Sequence, residues 1–293
     1  MSDTILVTGA SGHLGGGIIR HLLDDEGVAP GRIIAVTRDV GKLTDFSDRG
    51  VSVRAGDFRD GDGLARAFAG ADKVLVISGA DIGQRLAQHE AAIKAAVAAG
   101  AKRIAYTSMP NPEPGNAVVF APEHFGTEQA IKATGLPYTI FRNGWYQENL
   151  LMSLPQALSS GKWYSAAGQG RVAHAARDDM AAAIAAALAS NEGESTTYTL
   201  TGPEALTTDE IAARAASTLG KPIEVIHVSD EQLAQGMKAA GVPAEYVPML
   251  VSFDTNTRNG GIDIVTGDLE TLSGRKPRPL EDFLTANRAA LLG

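Results

Sequence analysis

The run Thr8-Gly9-Ala10-Ser11-Gly12-His13-Leu14-Gly15 stands directly behind the apolar Ile5-Leu6-Val7 and ahead of the helix-like Ile18-Ile19-Arg20-His21-Leu22-Leu23. Strand, glycine turn and helix in that order are what a nucleotide pyrophosphate needs. Gly9 lets the chain leave the strand in a tight turn, Gly12 withholds a side chain where phosphate approaches backbone, and Gly15 lets the helix pack closely on the strand. The unpaired amides and positive dipole end of the helix then face the phosphates. The spacing is Gly-x-x-Gly-x-x-Gly rather than Gly-x-Gly-x-x-Gly, but the flanking strand and helix supply the required context. Dinucleotide binding is therefore expected, with Gly9, Ser11, Gly12, Leu14 and Gly15 at the pyrophosphate.

The rest of the first half repeats the alternation. Strand-like runs at 5–8, 32–37, 51–55, 73–77, 103–107 and 138–142 are separated by helical stretches such as 63–68, 85–99 and 123–133. Such alternation implies right-handed crossovers and an α/β, Rossmann-type doubly wound parallel sheet. Ligands of such sheets bind beyond the carboxyl ends of the strands, so those ends hold the candidate site.

At the second strand tip Arg38 is suited to a 2′-phosphate, which favours NADP(H) over NAD(H); the alternative is a solvated arginine. At the third, Asp57 and Phe58 suit the adenine amino group and ring, or form an Asp turn with a core phenylalanine. Ser78 and Gly79 end the fourth strand and leave room for ribose. The following Gly83-Gln84-Arg85 touches phosphate or substrate, or caps a helix. Thr107 and Ser108 end the fifth strand. After the sixth come Asn143, Gly144, Trp145 and Tyr146, where a nicotinamide would lie. Trp145 and Tyr146 either wall a flat ligand or pack between lobes.

Beyond residue 150 the pattern loosens. We expect a dinucleotide-binding lobe at 1–145, to which 170–196 returns, and a smaller α/β substrate lobe from 146–169 and 197–293. Thr207 and Glu210 have capping-box spacing ahead of a helix.

With 34 acidic against 26 basic residues, the net charge of −8 offers nucleic acid no electrostatic footprint, and no Lys/Arg block supplies a local one. The absence of cysteine excludes disulfides, thiolate catalysis and Cys-zinc sites. Met1-Ser2-Asp3-Thr4 lacks the features of a signal peptide, and the most apolar window, 180–189, is too short to span a bilayer. The expectation is a cytoplasmic protein with no membrane, nucleic-acid or metal partner, and with a homodimer left open.

The chain resembles the atypical short-chain dehydrogenase/reductases of the NmrA-like group. Within it, the type 2 NAD(P)H:quinone oxidoreductases and the triphenylmethane reductases are most similar. The glycine run, Gly83-Gln84-Arg85, Ala105-Tyr106-Thr107-Ser108, His124 with Thr127-Glu128, and Arg142-Asn143-Gly144-Trp145-Tyr146 with Glu148-Asn149 carry the resemblance; Thr199-Leu200-Thr201-Gly202-Pro203-Glu204 adds to it. The resemblance implies an NADPH-dependent enzyme that passes hydride to a quinone or similar conjugated aromatic acceptor, triphenylmethane dyes included. The alternative within the group is a dinucleotide-binding redox sensor without turnover.

Most short-chain dehydrogenases move protons with Tyr-x-x-x-Lys. Four positions after each tyrosine stand Pro110, Arg142, Leu150, Gly168, Gly202 and Leu250, so that pair is absent. Ser108 and His124 are the remaining candidates for a chemical role, and Arg85, Trp145 and Tyr146 for contact with substrate. His124 would shuttle a proton, orient the cofactor or bond a helix end. His13, His21, His89, His174 and His227 join no recognisable constellation. A quinone that accepts hydride leaves as a fairly stable hydroquinone anion, and a cationic dye becomes neutral, so neither reaction requires a protein acid.

Overall fold

The computed structural model describes residues 3–190 and 193–293. Met1 and Ser2, part of the stretch read for a leader, and Asn191 and Glu192, part of the 170–196 return, lie outside the described residues.

The strands are β1 (Ile5–Val7), β2 (Ile33–Thr37), β3 (Ser52–Ala55), β4 (Lys73–Val76), β5 (Arg103–Ser108), β6 (Tyr138–Asn143), β7 (Lys162–Ser165), β8 (Thr196–Leu200) and β9 (Glu224–His227). The principal helices are α1 (His13–Asp24), α2 (Thr44–Asp48), α3 (Gly61–Phe68), α4 (Arg85–Ala98), α5 (Ala121–Ala133), α6 (Leu150–Ser160), α7 (Arg177–Ala189), α8 (Thr208–Leu219), α9 (Asp230–Ala239) and α10 (Val247–Arg258). Seven strands form one parallel sheet in the order β3-β2-β1-β4-β5-β6-β8, a Rossmann-like doubly wound arrangement. β7 and β9 pair in a separate two-stranded sheet. The order reverses between β1 and β4, and a crevice opens at such a reversal.

Both faces of the sheet are buried, as its nearly continuous apolar strands require. Because side chains alternate along a strand, Ile5, Val7, Ile33, Ala35 and Leu75 join α1 and α7 in one core. Leu6, Ile34, Val36, Val74 and Val76 join α3 and α4 in the other. The alanine-rich α7 can lie close to α1: a Cβ at Gly17 would stand 3.0 Å from the Ala181 Cβ.

The sequence placed 197–200 in the smaller lobe, whereas β8 is the edge strand of the large sheet, in register with β6 from Thr139↔Thr196 to Asn143↔Leu200. Its alternation is that of any half-buried strand, so the local pattern carries no record of which sheet it joins. A third core gathers Leu150, Leu154 and Leu158 of α6 with Ile211, Ala215 and Leu219 of α8 and Phe283. The capping box forms as expected: Thr207 Oγ1 accepts from the Glu210 N–H at 3.2 Å, and Glu210 Oε2 from the Thr207 N–H at 2.8 Å.

Candidate active site

The glycine turn is stitched to the strands on both sides of it. Ala10 N donates to Val36 O at 3.1 Å, Thr8 N and Oγ1 both donate to Leu75 O at 3.0 Å, and Ile77 N donates to Thr8 Oγ1 at 2.9 Å. Thr37 Oγ1 holds Ser11 Oγ at 2.8 Å. Gly9 takes φ +60°, the left-handed region that favours glycine. A Cβ at Gly15 would stand 2.4 Å from Gly9 O, so the close approach of helix to turn demands glycine there. A Cβ at Gly12 would meet only Gly9 O, at 3.2 Å, and otherwise enters open space. The Gly12 amide itself is bonded to Gly9 O at 2.9 Å. Among the described residues the His13, Leu14 and Gly15 amides have no backbone partner, as expected at a helix start, and they are the donors offered to a phosphate. The Leu14 side chain is core.

Beside this turn lies a groove of about 390 Å³ whose lining includes Ser11, Gly12, His13, Arg20, Lys42 and Arg49. Lys42 does not stand out in the sequence; the available signal is its place in the 3-10 turn Val40–Leu43 just after β2. Arg38 is exposed, makes no hydrogen bond or ion pair among the described residues, and lies near enough to Asp57 to help lower its pKa. Asp57 closes an Asx turn, accepting from Arg59 N at 2.9 Å, and also binds the Arg59 guanidinium. Those bonds to Arg59 hold its carboxyl at about 2. Phe58 packs on the α3/α4 core with its edge toward His89, ring centroids 6.1 Å apart.

A buried polar chain runs from the β4 tip to the start of α4. Gly79 N donates to His89 Nε2 at 3.0 Å, so the His89 proton sits on Nδ1 and is donated to Thr127 Oγ1 at 2.9 Å. Thr127 passes its own hydrogen to Glu123 O at 2.7 Å and interacts with the Tyr106 hydroxyl. Tyr106 Oη and His124 Nδ1 are 2.7 Å apart, and His124 Nε2 lies 3.1 Å from Arg85 Nη1. A guanidinium can only donate, so His124 Nε2 accepts and its proton is on Nδ1. Burial, reinforced by the Arg85 charge, depresses His124 and His89 to about 3. Burial raises Tyr106 well above its usual value. His124 is thus a neutral acceptor. His89, which the sequence left without a constellation, belongs to the same chain; its partners come from β4 and α5, invisible in its own neighbourhood.

Ser78 N donates to Thr107 Oγ1 at 2.9 Å, tying the β4 and β5 tips together. Ser108 Oγ donates to Glu128 Oε1 at 2.7 Å. Glu128 is fully buried and also takes Arg142 Nε at 3.0 Å and Nη2 at 2.8 Å.

After β6 the two aromatics part company. Trp145 packs toward the α6/α8 core and meets Phe253 edge-on at 5.3 Å; Phe253 in turn meets Phe120 at 5.9 Å. Tyr146 packs on the α1/α7 core beneath the Arg177 guanidinium, 4.8 Å from its ring. Gly144 N donates to Leu200 O at 2.8 Å, and Asn143 Nδ2 to Tyr146 Oη at 3.3 Å, while Asn143 Oδ1 is buried without a partner. Phe120 and Phe253 were missed in the sequence because each is an isolated aromatic in an unremarkable segment. The Arg85 guanidinium lies over Phe120, 4.8 Å from the ring centroid.

Among the described residues, no group of three or more His, Cys, Asp or Glu could hold a metal ion, and no helix is long and apolar enough to cross a membrane.

The chain is 37% identical over 96% of its length to quinone oxidoreductase 2 of Escherichia coli, covering 97% of that protein. A structure of an NADPH-dependent quinone oxidoreductase from that organism, complexed with NADPH, superposes with a TM-score of 0.92 at 35% identity, covering 96% of this chain and 99% of the other. Triphenylmethane reductase of Citrobacter complexed with NADP(H) gives a TM-score of 0.89 at 35% identity, covering 97% and 99%. The negative transcriptional regulator NmrA, at 18% identity, shares the fold, with a TM-score of 0.75 over 97% of this chain and 95% of its own. The model of the NmrA-like family matches residues 1–284, and the chain belongs to that family.

Proposed function

We propose that the protein is an NADPH-dependent oxidoreductase that transfers hydride directly to a quinone or similar conjugated aromatic acceptor. The observation that carries this is the crevice at the β1/β4 reversal, in a chain 37% identical to a quinone oxidoreductase over nearly its whole length. Three unpaired amides at the start of α1, open space at Gly12 and cations at its flank fit a dinucleotide diphosphate. Gly9, Ser11, Gly12, Leu14 and Gly15 hold the pyrophosphate in this reading, and Arg38 and Lys42 flank the 2′-phosphate. Asp57 and Phe58 serve adenine. Ser78, Gly79, Thr107 and Asn143-Gly144-Trp145-Tyr146 line the ribose and nicotinamide end.

Bound reduced nicotinamide supplies a hydride, and the protein's task is to hold the acceptor against it and keep water out. In this reading Arg85, Phe120, Trp145 and Phe253, linked by guanidinium–ring and ring–ring contacts, form the acceptor's side of the site. The division into a dinucleotide lobe and a smaller substrate lobe is part of this reading, with β8 counted in the dinucleotide lobe because it extends the large sheet. A cytoplasmic setting completes the proposal, and a homodimer stays open; light scattering after gel filtration decides the latter. The test of function is NADPH consumption, followed by the absorbance of the reduced nicotinamide, with naphthoquinone as acceptor. Tight NADPH binding with no consumption for any quinone or arylmethane dye would favour a redox sensor instead.

A further inference from the structure

We propose that Arg85 receives the negative charge that hydride transfer leaves on the acceptor, and that the same cation makes the site favour neutral quinones over cationic dyes. This rests on the hydride-transfer function proposed above and selects between its two acceptor classes.

Arg85 is only 7% exposed, yet among the described residues no carboxylate forms an ion pair with it. Asp81 and Glu123 act on its charge only from a distance. Glu123 Oε1 accepts from the Gly83 and Arg85 amides, each at 3.0 Å, and its buried Oε2 has no hydrogen-bond partner, so this carboxylate offsets the Arg85 charge without pairing with it. Among the described residues the one hydrogen bond of the Arg85 guanidinium is to His124, a neutral acceptor, and the Arg85 Nε is buried without a partner. The residue also opens α4, where the helix dipole disfavours a cation. A buried charge without a direct ion pair is costly, and an anion brought by the ligand would offset it. Its guanidinium over Phe120 faces the aromatic junction of Phe120, Phe253 and Trp145. His124, itself bonded to Tyr106, holds one guanidinium nitrogen in place.

The chemistry separates the acceptors. A neutral quinone that takes up a hydride gains two electrons and one hydrogen and becomes a hydroquinone monoanion, whose second proton comes from water. Negative charge therefore grows on oxygen during the step, and a preorganised guanidinium stabilises it. A triarylmethane cation takes the same hydride at its central carbon and becomes neutral, so its charge is opposed on binding and leaves nothing to stabilise.

The test compares wild type with Arg85→Met and Arg85→Lys, saturated with NADPH, on naphthoquinone and on malachite green. Loss of one oxyanion donor typically lowers turnover about 10²–10³-fold. Arg85→Met should lose quinone kcat/KM on that scale while dye kcat/KM holds or rises, and Arg85→Lys should recover part of the quinone rate. Independently of turnover, calorimetry with the NADP⁺ form should show lawsone, a hydroxynaphthoquinone that is an anion at neutral pH, binding at least about tenfold more weakly to Arg85→Met. Equal losses for quinone and dye, or unchanged lawsone affinity, would overturn the proposal. A wild type that binds NADPH but reduces neither acceptor would overturn the hydride-transfer function itself. The lawsone comparison would then still decide whether Arg85 holds an anion.

Discussion

The Ser108 hydroxyl donates to Glu128 Oε1 at 2.7 Å, and the same carboxylate is bound by Arg142 through two nitrogens. The one hydrogen Ser108 could offer a substrate is therefore committed to a buried anion. His124 is likewise committed, its Nε2 facing Arg85. With no Tyr-x-x-x-Lys in the chain, the expected reaction is hydride transfer without an obligatory protein acid. Ser108→Ala should retain quinone turnover within about tenfold, since losing a true general acid typically costs 10²–10⁴-fold. A thousandfold loss at saturating quinone, with folding and NADPH binding intact, would identify Ser108 as a proton donor and reopen carbonyl reduction.

Glu128 is a structural keystone for the β5 and β6 tips. Removing one partner of a buried ion pair typically costs about 3–5 kcal/mol, because the other charge stays buried. Glu128→Ala should therefore lose stability on that scale, although Glu113 still engages Arg142 at 2.6 Å and sets the value toward the lower end. Urea unfolding of the variant measures it. A change under about 1 kcal/mol, typical of surface substitutions, would refute the assignment.

Gly12 and Gly15 should separate binding from folding. Gly12→Val meets only Gly9 O, at 3.2 Å, a contact that a shift of a few tenths of an ångström relieves, so it should fold with a small loss of stability and lose NADPH affinity. Gly15→Ala places a Cβ 2.4 Å from Gly9 O and should destabilise the turn itself. Thermal unfolding and NADPH fluorescence titration of both variants check the contrast; normal NADPH affinity in Gly12→Val would reduce the glycine run to an ordinary loop.

Cofactor preference should depend on Arg38. Exposed and without a partner among the described residues, it is available to a 2′-phosphate. A charge-assisted hydrogen bond contributes roughly 1.5–3 kcal/mol, about tenfold to a hundredfold in affinity. Titrating NADPH and NADH should show that preference in the wild type and its loss in Arg38→Ala. Equal affinities in both proteins would remove the role.

Acid should weaken the fold before the carboxylates titrate. Burial lowers His89 and His124 from 6.5 to about 3 and His174 to about 4. As pH falls, the unfolded chain takes up these protons first, so the histidines' contribution is fully present above about 6.5 and is lost progressively down to about 3–4. Between those limits each histidine removes about 1.4 kcal/mol per pH unit. Urea midpoints at pH 7, 6 and 5 should fall steeply, and less so in His89→Gln. A midpoint that stays flat down to pH 5 would show that these histidines are not held neutral.

What the sequence determined by itself is periodic or short-range. The β1–turn–α1 unit, the alternation behind the parallel sheet and the capping box at Thr207 all depend on residues within a few positions of one another. Their physics is equally local: steric freedom at glycine, two-residue alternation in a strand, an oxygen near an unpaired amide. The tertiary structure decided where the seventh strand goes and which proton each histidine carries. β8 joins β6 by long-range hydrogen bonding that its own pattern does not specify. The chain from Gly79 through His89, Thr127, Tyr106 and His124 to Arg85 draws on the β4 tip, α4, β5 and α5. Hydrogen-bond polarity along such a chain is set by which neighbour can only donate. That neighbour, Arg85, lies 39 positions from His124, beyond the reach of any local pattern.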